Sequence, residues 1–150
     1  MAAKIILLVE DDPDDEALAL RAFRKIRIGD EIVVARDGVE ALDYLFGSGK
    51  YEGRDISVAP AVILLDLKLP LLDGFEVLSR IRSGEATRLL PVVVLSSSSE
   101  REDVGRSYSL GANGYLRKPV DYDQFVTAAE CLGRYWFVLN EVPPAGWKPL

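Results

Sequence analysis

The sequence predicts an α/β protein in which one parallel sheet of five strands is covered by helices on both faces. Five short apolar runs, several rich in β-branched residues, recur along the chain and have the length of buried strands. Segments with apolar residues at helical spacing lie between these runs. Because crossovers between parallel strands are right-handed, this alternation builds a doubly wound sheet.

The ends of these elements are marked by residues that favour caps and turns. Asp12 before a proline and Asp121 three residues before a glutamine are typical N-caps, and Asp37-Gly38 is typical of a turn. Gly29 and Gly111 end the helices that precede them. In chain order, the predicted elements are strand 4–9, helix 13–28, strand 32–35, helix 39–46, loop 47–60, strand 61–65, helix 74–82, strand 91–95, helix 100–110, strand 114–116 and helix 122–139.

Length and composition are those of one ordinary globular domain. The chain has 150 residues, 49% of them hydrophobic and 28% charged, and its apolar runs are far shorter than a membrane span. The N-terminus meets an acidic cluster at once, so we expect no signal peptide. A net charge of −6 argues against nucleic acid or an anionic membrane as partner. A single cysteine, Cys131, fits the reducing cytoplasm.

The chain contains no histidine. This excludes histidine as an acid–base catalyst, as the partner of a serine or cysteine nucleophile, and as a metal ligand. The chemistry of the protein must therefore use carboxylates, lysines, hydroxyl groups and the backbone.

Polar side chains gather where the predicted strands end. The carboxyl ends of parallel strands meet at one edge of a sheet, where such folds place their sites. Converging carboxylates repel one another unless a cation joins them, and all-oxygen ligands suit Mg²⁺ or Mn²⁺. Together with a hydroxyl group and a lysine they form a phosphoryl-binding site, whose donor must lie outside this chain. The residues are Glu10, Asp11 and Asp12 after the first strand, Asp66 after the third, Ser96 after the fourth and Lys118 after the fifth.

The order and spacing of these residues resemble the receiver domain of two-component response regulators. The resemblance covers about residues 4–133 and rests on the segments LLVEDD, LLDLKLPLLDGFEVL, VVVLSSSS and GANGYLRKP. It implies the flavodoxin-like (βα)5 fold with strand order 2-1-3-4-5. We expect the receiver domain at residues 1–140 and an extended arm, rich in proline, at residues 141–150.

The resemblance implies a phosphoacceptor and its metal ligands. Asp66 matches the phosphoacceptor. Asp11, Asp66 and the backbone carbonyl of Lys68 match the metal ligands, and Glu10 matches an acid that binds the ion through water. Spacing favours Glu10 and Asp11 as the acidic pair and leaves Asp12 as a helix cap.

The resemblance also implies the parts that respond to phosphorylation. Ser96 matches the switch hydroxyl, Tyr115 the switch aromatic residue and Lys118 the lysine that binds the phosphoryl group. In the family the bond between this lysine and the next residue, here Pro119, is cis, which only proline makes accessible at low cost.

The C-terminal part resembles that of the phytochrome-associated response regulators. Three consecutive aromatic residues cannot all face one core from a helix, so some of them are expected at an interface. No effector pattern follows, which indicates a single-domain regulator. The resemblance implies a phytochrome histidine kinase as donor and a homodimer formed through the last helix and the arm, with a histidine phosphotransfer protein as a further candidate partner. The candidate interface residues are Tyr135, Trp136, Phe137 and Trp147.

Two other function classes stay open on the residues alone. A small aspartate-nucleophile phosphatase would need a second acid two residues after the nucleophile, where this chain has Lys68. A constitutive interaction module would need none of these three residues, yet all are present: Asp66, Ser96 and Lys118. The favoured interpretation is a signalling phosphoacceptor rather than an enzyme.

Overall fold

The computed structural model describes residues 4–27, 29–119, 121–144 and 147–149. Its strands are β1 (Ile5–Val9), β2 (Glu31–Ala35), β3 (Val62–Leu65), β4 (Val92–Ser96) and β5 (Gly114–Arg117). They form one parallel sheet in the order β2-β1-β3-β4-β5. This confirms the predicted fold class and strand order.

The three central strands are buried along their whole length. Every residue of β1, β3 and β4 lies in the interior, whereas those of the edge strand β5 are only half-buried or exposed. Continuous aliphatic runs are typical of parallel strands covered on both faces. The register pairs Val9 with both Ala35 and Leu65, so β1, β2 and β3 end at the same level.

The helices cover the sheet from both sides. One face packs against the second and third helices through a cluster that includes Leu45 and Ile81, and the other against the first and fifth helices through Phe23 and Phe125. The predicted N-caps are confirmed, since the side chains of Asp12 and Asp121 accept hydrogen bonds from backbone N–H groups of the helices that follow. The helices in the described ranges are α1 (Pro13–Ile26), α2 (Gly38–Phe46), α3 (Gly74–Ser83), α4 (Arg101–Ser109) and α5 (Tyr122–Gly133).

The last helix differs from the prediction of one α-helix through residue 139. α5 ends at Gly133, and Arg134–Leu139 continues as a wider π-helix. Trp136 and Phe137, adjacent in sequence, both pack against the core on the α1/α5 face. The side-chain ammonium of Lys4 donates to the carbonyl of Phe137 and so supplies a partner at this irregular helix end.

Beyond the π-helix, the described residues form neither helix nor strand. Nζ of Lys148 lies 2.6 Å from Oε1 of Glu85, in the segment between α3 and β4. The arm therefore contacts its own domain near the amino-terminal end of β4. No helix within the described ranges is both long and apolar enough to cross a membrane.

Close packing around Gly74 leads to a first prediction. A Cβ atom at Gly74 would lie 2.3 Å from the carbonyl oxygen of Asp66, so we expect Gly74→Ala to lower the free energy of unfolding by about 1–3 kcal/mol. Chemical denaturation measures this. Gly105→Ala in α4 is the control, because a Cβ atom there meets nothing within 4 Å and alanine favours helix. Equal stability of the two variants would contradict the prediction.

Candidate phosphoryl-transfer site

Backbone hydrogen bonds fix four polar residues at the carboxyl edge of the sheet. Glu10 and Asp66 directly follow β1 and β3, and the N–H of Asp66 donates to the carbonyl of Val9 at 3.1 Å. Ser96 is the last residue of β4, and its carbonyl accepts from the N–H of Lys118 at 2.7 Å. The ladder thus extends past the strand ends and holds these side chains on one side of the sheet.

Nζ of Lys118 contacts three carboxylates. It lies 2.8 Å from Oε2 of Glu10, 3.0 Å from Oδ2 of Asp66 and 2.9 Å from Oδ2 of Asp15. An ammonium group has three donor hydrogens, so these partners satisfy it. The sequence predicted that Lys118 joins the acids, but it did not single out Asp15. Acidic residues in the first turn of a helix are ordinary, and their spacing gives no sign of a contact with the far end of the chain.

Three acids come close enough to share a metal ion. Carboxylate oxygens of Glu10, Asp11 and Asp66 all lie within 4.8 Å of one another. Glu10 and Asp66 are buried and Asp11 is exposed, so the cluster opens to solvent on one side. Lys118 offsets only one of their three negative charges. Hard oxygen ligands with uncompensated charge fit Mg²⁺ or Mn²⁺.

Burial and neighbouring charges change the protonation of this cluster. Burial, together with the charge of Asp66, raises the pKa of Glu10 to about 7, although the hydrogen bond from Lys118 opposes the shift. Burial would lower the pKa of Lys118, but the hydrogen bonds to Glu10 and Asp15 and the charge of Asp66 raise it above its usual value. The lysine is therefore charged at neutral pH. The buried glutamate holds a proton more readily than an ordinary glutamate does, because burial disfavours its charged form.

A hydrogen-bonded chain leads away from the buried hydroxyl of Ser96. Its Oγ accepts from the N–H of Ser98 at 3.1 Å, and the hydroxyl of Tyr115 donates to the carbonyl of Ser98 at 2.8 Å. Oγ of Ser98 donates to Asp103 in α4 at 2.7 Å. Ser98 thus connects Ser96, Tyr115 and α4. The sequence predicted Ser96 and Tyr115 but not Ser98, since nothing local distinguishes members of a four-serine run.

The peptide bond between Lys118 and Pro119 is trans, because the described residues contain no cis peptide bond. The expectation of a cis bond was therefore wrong for this structure. Trans is the lower-energy form of a bond to proline by roughly 0.5–1 kcal/mol, and Lys118 reaches all three carboxylates with this bond trans.

Lys68 is exposed, and its backbone nitrogen lies 3.4 Å from Oδ1 of Asp66.

The predicted interface residues lie at the other end of α5. Tyr135 and Trp147 are each half exposed, whereas Trp136 and Phe137 pack against the core. A groove of about 690 Å³ runs between β5, α5 and the residues that follow, and its lining includes Tyr115, Tyr135 and Trp136. The residues singled out in the sequence therefore fall into two groups, one around Lys118 and one along this groove.

Comparison with known families identifies the family and the fold. The model of the response regulator receiver domain matches residues 6–130. The chain belongs to this family of signalling proteins. Among its curated relatives, the Probable methanogenesis regulatory protein FilR2 of Methanothrix harundinacea is 42% identical over 93% of this chain and 87% of its own length. Response regulator Rcp1 of Synechocystis is 37% identical over 95% of both chains.

Solved structures of phytochrome response regulators are also close homologues. The bacteriophytochrome response regulator RtBRR is 51% identical, with a TM-score of 0.77 over 96% of this chain and 86% of its own. The phosphorylated cyanobacterial phytochrome response regulator RcpA is 37% identical, with a TM-score of 0.86 over 95% and 99%. The Mn²⁺-bound form of Rcp1 is 36% identical, with a TM-score of 0.83 over 93% and 99%. This receiver is therefore related to the phytochrome response regulators.

The position of Ser98 leads to a second prediction. Ser98→Ala removes the hydrogen bond to Asp103 and an acceptor for the N–H of Glu100, so we expect the first turn of α4 to open more readily, by about 1 kcal/mol. Amide hydrogen exchange of the segment from Glu100 to Val104 measures the loss of protection. Ser99→Ala is the control, because that side chain is exposed. Unchanged protection in the Ser98 variant would refute this role.

Proposed function

We propose that this protein is a phosphoacceptor switch, in which Asp66 accepts a phosphoryl group from the phosphohistidine of a sensor histidine kinase in a reaction that requires Mg²⁺ or Mn²⁺. The observation that carries the proposal is the position of Asp66, 3.0 Å from the ammonium of Lys118 and within reach of Glu10 and Asp11. An aspartate without these neighbours would repel an anionic donor. A lysine and a cation at the acids remove that barrier.

In the transfer, an oxygen of Asp66 bonds to phosphorus as the phosphorus–nitrogen bond of the donor breaks. The bonding electron pair stays on the departing imidazole. Asp11, Asp66 and the carbonyl of Lys68 would hold a divalent cation, with Glu10 acting through water. The cation would supply positive charge to the phosphoryl oxygens. Hydrolysis reverses the state, because a water oxygen bonds to phosphorus and the Asp66 carboxylate leaves.

Lys118 and Ser96 then hold the phosphoryl group. The ammonium donates to one phosphoryl oxygen and the Ser96 hydroxyl to another. Movement of Ser96 changes its hydrogen bond with Ser98. Because Ser98 also bonds to Tyr115 and to Asp103, this movement shifts the positions of Tyr115 and α4. The altered face at β4, α4 and β5 is the output that a partner protein reads.

The relatives support a particular kind of donor, and the free cysteine and the charge of the chain support a place of action. Homology to phytochrome response regulators supports a phytochrome histidine kinase as the donor. A histidine phosphotransfer protein is a candidate for onward transfer. An exposed free Cys131 and the net charge of −6 support a cytoplasmic protein that acts on other proteins rather than on nucleic acid or membranes.

Homodimerisation through the end of α5 and the arm is the second part of the proposal. Tyr135, Val138, Leu139 and Trp147 are each at least half exposed. Tyr135, Val138 and Leu139 belong to one helical segment, and a group of exposed apolar residues there marks an interaction surface. Trp136 and Phe137 contribute by fixing the π-helix on the core. Of the four predicted aromatic residues, Tyr135 and Trp147 offer about half of their surface to a partner.

The phosphoacceptor proposal predicts a mass change. After incubation with acetyl phosphate and Mg²⁺, the intact protein should gain the mass of one phosphoryl group. Asp66→Asn lacks the nucleophile and a chelated sample lacks the cation, so neither should gain it. Intact-protein mass spectrometry measures all three.

The same experiment separates the other function classes. No gain in mass, either with acetyl phosphate or with a phosphorylated phytochrome kinase, would favour a constitutive interaction module. Steady release of phosphate from a phosphomonoester, abolished in Asp66→Asn, would instead favour a phosphatase.

The dimer proposal predicts that the double variant Tyr135→Ala/Val138→Ala is monomeric. Light scattering should give roughly twice the 16.6 kDa chain mass for the wild type and the single mass for the variant, because two exposed apolar contacts are lost. Tyr108→Ala in α4 is the matched control, since Tyr108 is 51% exposed and Tyr135 is 50% exposed. A monomeric wild type under both phosphorylated and unphosphorylated conditions would disprove it.

A further inference from the structure

Asp15 is a carboxylate partner of Lys118 that does not belong to the cluster of Glu10, Asp11 and Asp66. We propose that Asp15 is a positioning residue for Lys118, which keeps the ammonium group partnered while Glu10 and Asp66 turn to a divalent cation. Asp15 lies in the first turn of α1, and its Oδ2 lies 2.9 Å from Nζ of Lys118. The inference rests on the proposed function, because that function requires the cation.

The ammonium group of Lys118 is shared among three carboxylates. Its three carboxylate partners lie at nearly equal distances, from 2.8 to 3.0 Å. Two of them, Glu10 and Asp66, belong to the cluster that could hold the ion, and Asp15 does not. When Glu10 and Asp66 bind a cation, Asp15 is the carboxylate that remains paired with Lys118.

Burial makes this partner necessary. The side chain of Lys118 is only 13% exposed, so water cannot replace a lost carboxylate freely, and an unpaired ammonium there is costly. The side chain of Asp15 is 36% exposed, so it keeps more of its own hydration than Glu10 and Asp66, which are 2% and 8% exposed. Without Asp15, the ammonium would depend on Glu10 and Asp66 and would compete with the cation for their oxygens.

The simpler role of Asp15 is that of an acid at a helix N-terminus. Its N–H lies 3.2 Å from the capping carboxylate of Asp12, and its charge favours the helix dipole. Asp14 shares both features in the same turn, since its N–H lies 2.8 Å from the same oxygen. The side chain of Asp14 is exposed and forms no ion pair within the described ranges. Asp14 is therefore a matched control for charge, helix position and capping.

Binding of Mn²⁺ tests the inference without any phosphoryl donor. Free Mn²⁺, counted by its electron paramagnetic resonance signal, gives the Kd for the wild type, Asp15→Asn, Asp14→Asn, Lys118→Met and Lys118→Met/Asp15→Asn. We expect Asp15→Asn to raise Kd about five- to tenfold, since a charged hydrogen bond is lost and Lys118 moves onto the metal ligands. Asp14→Asn should raise it by less than about twofold, because an exposed charge is screened.

The double variant decides whether Asp15 acts through the lysine. With Lys118 replaced by methionine, Asp15→Asn should change Kd no more than Asp14→Asn does in the wild type. Asp15→Glu, which keeps a carboxylate, should stay near the wild type and guards against a folding defect in the asparagine variant.

Three outcomes would overturn the inference. Equal effects of Asp15→Asn and Asp14→Asn would reduce Asp15 to a surface charge. An undiminished effect of Asp15→Asn in the Lys118→Met background would mean that Asp15 acts on the cation directly. Absence of Mn²⁺ binding by the wild type would sink the proposed function and this inference together, whereas the first two outcomes leave the proposed function standing.

Discussion

The balance of charge around one buried ammonium group governs this molecule. Lys118 meets three carboxylates, and a further acid, Asp11, lies beside two of them. One positive charge cannot balance four acids held this close together, and the raised pKa of Glu10 reflects its burial and the charge of Asp66. The acids cannot separate, because Glu10 and Asp66 are fixed at the ends of fully buried strands. The pocket therefore favours the arrival of a cation, and the sheet itself creates that preference.

The fold prepares the pocket through rigid neighbours rather than through loops. β1 and β3 end level with each other, which places Glu10 and Asp66 side by side. Gly74 allows α3 to start against the backbone of Asp66, where a Cβ atom would not fit. Residues held in this way keep their geometry while the charges around them change, and that is the condition for the electrostatic catalysis that the proposed function requires.

Features set by short-range pattern could be predicted from the sequence, and features set by tertiary contact could not. Buried parallel strands are encoded in continuous aliphatic runs, and acids directly after them meet at one edge for topological reasons. The contact of Asp15 joins residues 103 positions apart, and no spacing rule indicates it. Ser98 differs from its neighbours only in its tertiary partners. Within the π-helix, the adjacent residues Trp136 and Phe137 both pack against the core, which an α-helical pattern does not predict.

Tyr115 lies between the candidate site and the groove at the end of α5. Its hydroxyl bonds to Ser98, one step from the buried Ser96, and the residue also lines the groove that Tyr135 and Trp136 border. A coupling between sites requires an element with two arrangements that both sites bias. Under the proposed function, Tyr115 would be that element, because a turn of its ring would break the bond to Ser98 and reshape the groove in one movement. Phosphorylation and assembly would then be linked in both directions, so that a partner seated in the groove would also alter the setting of Ser96.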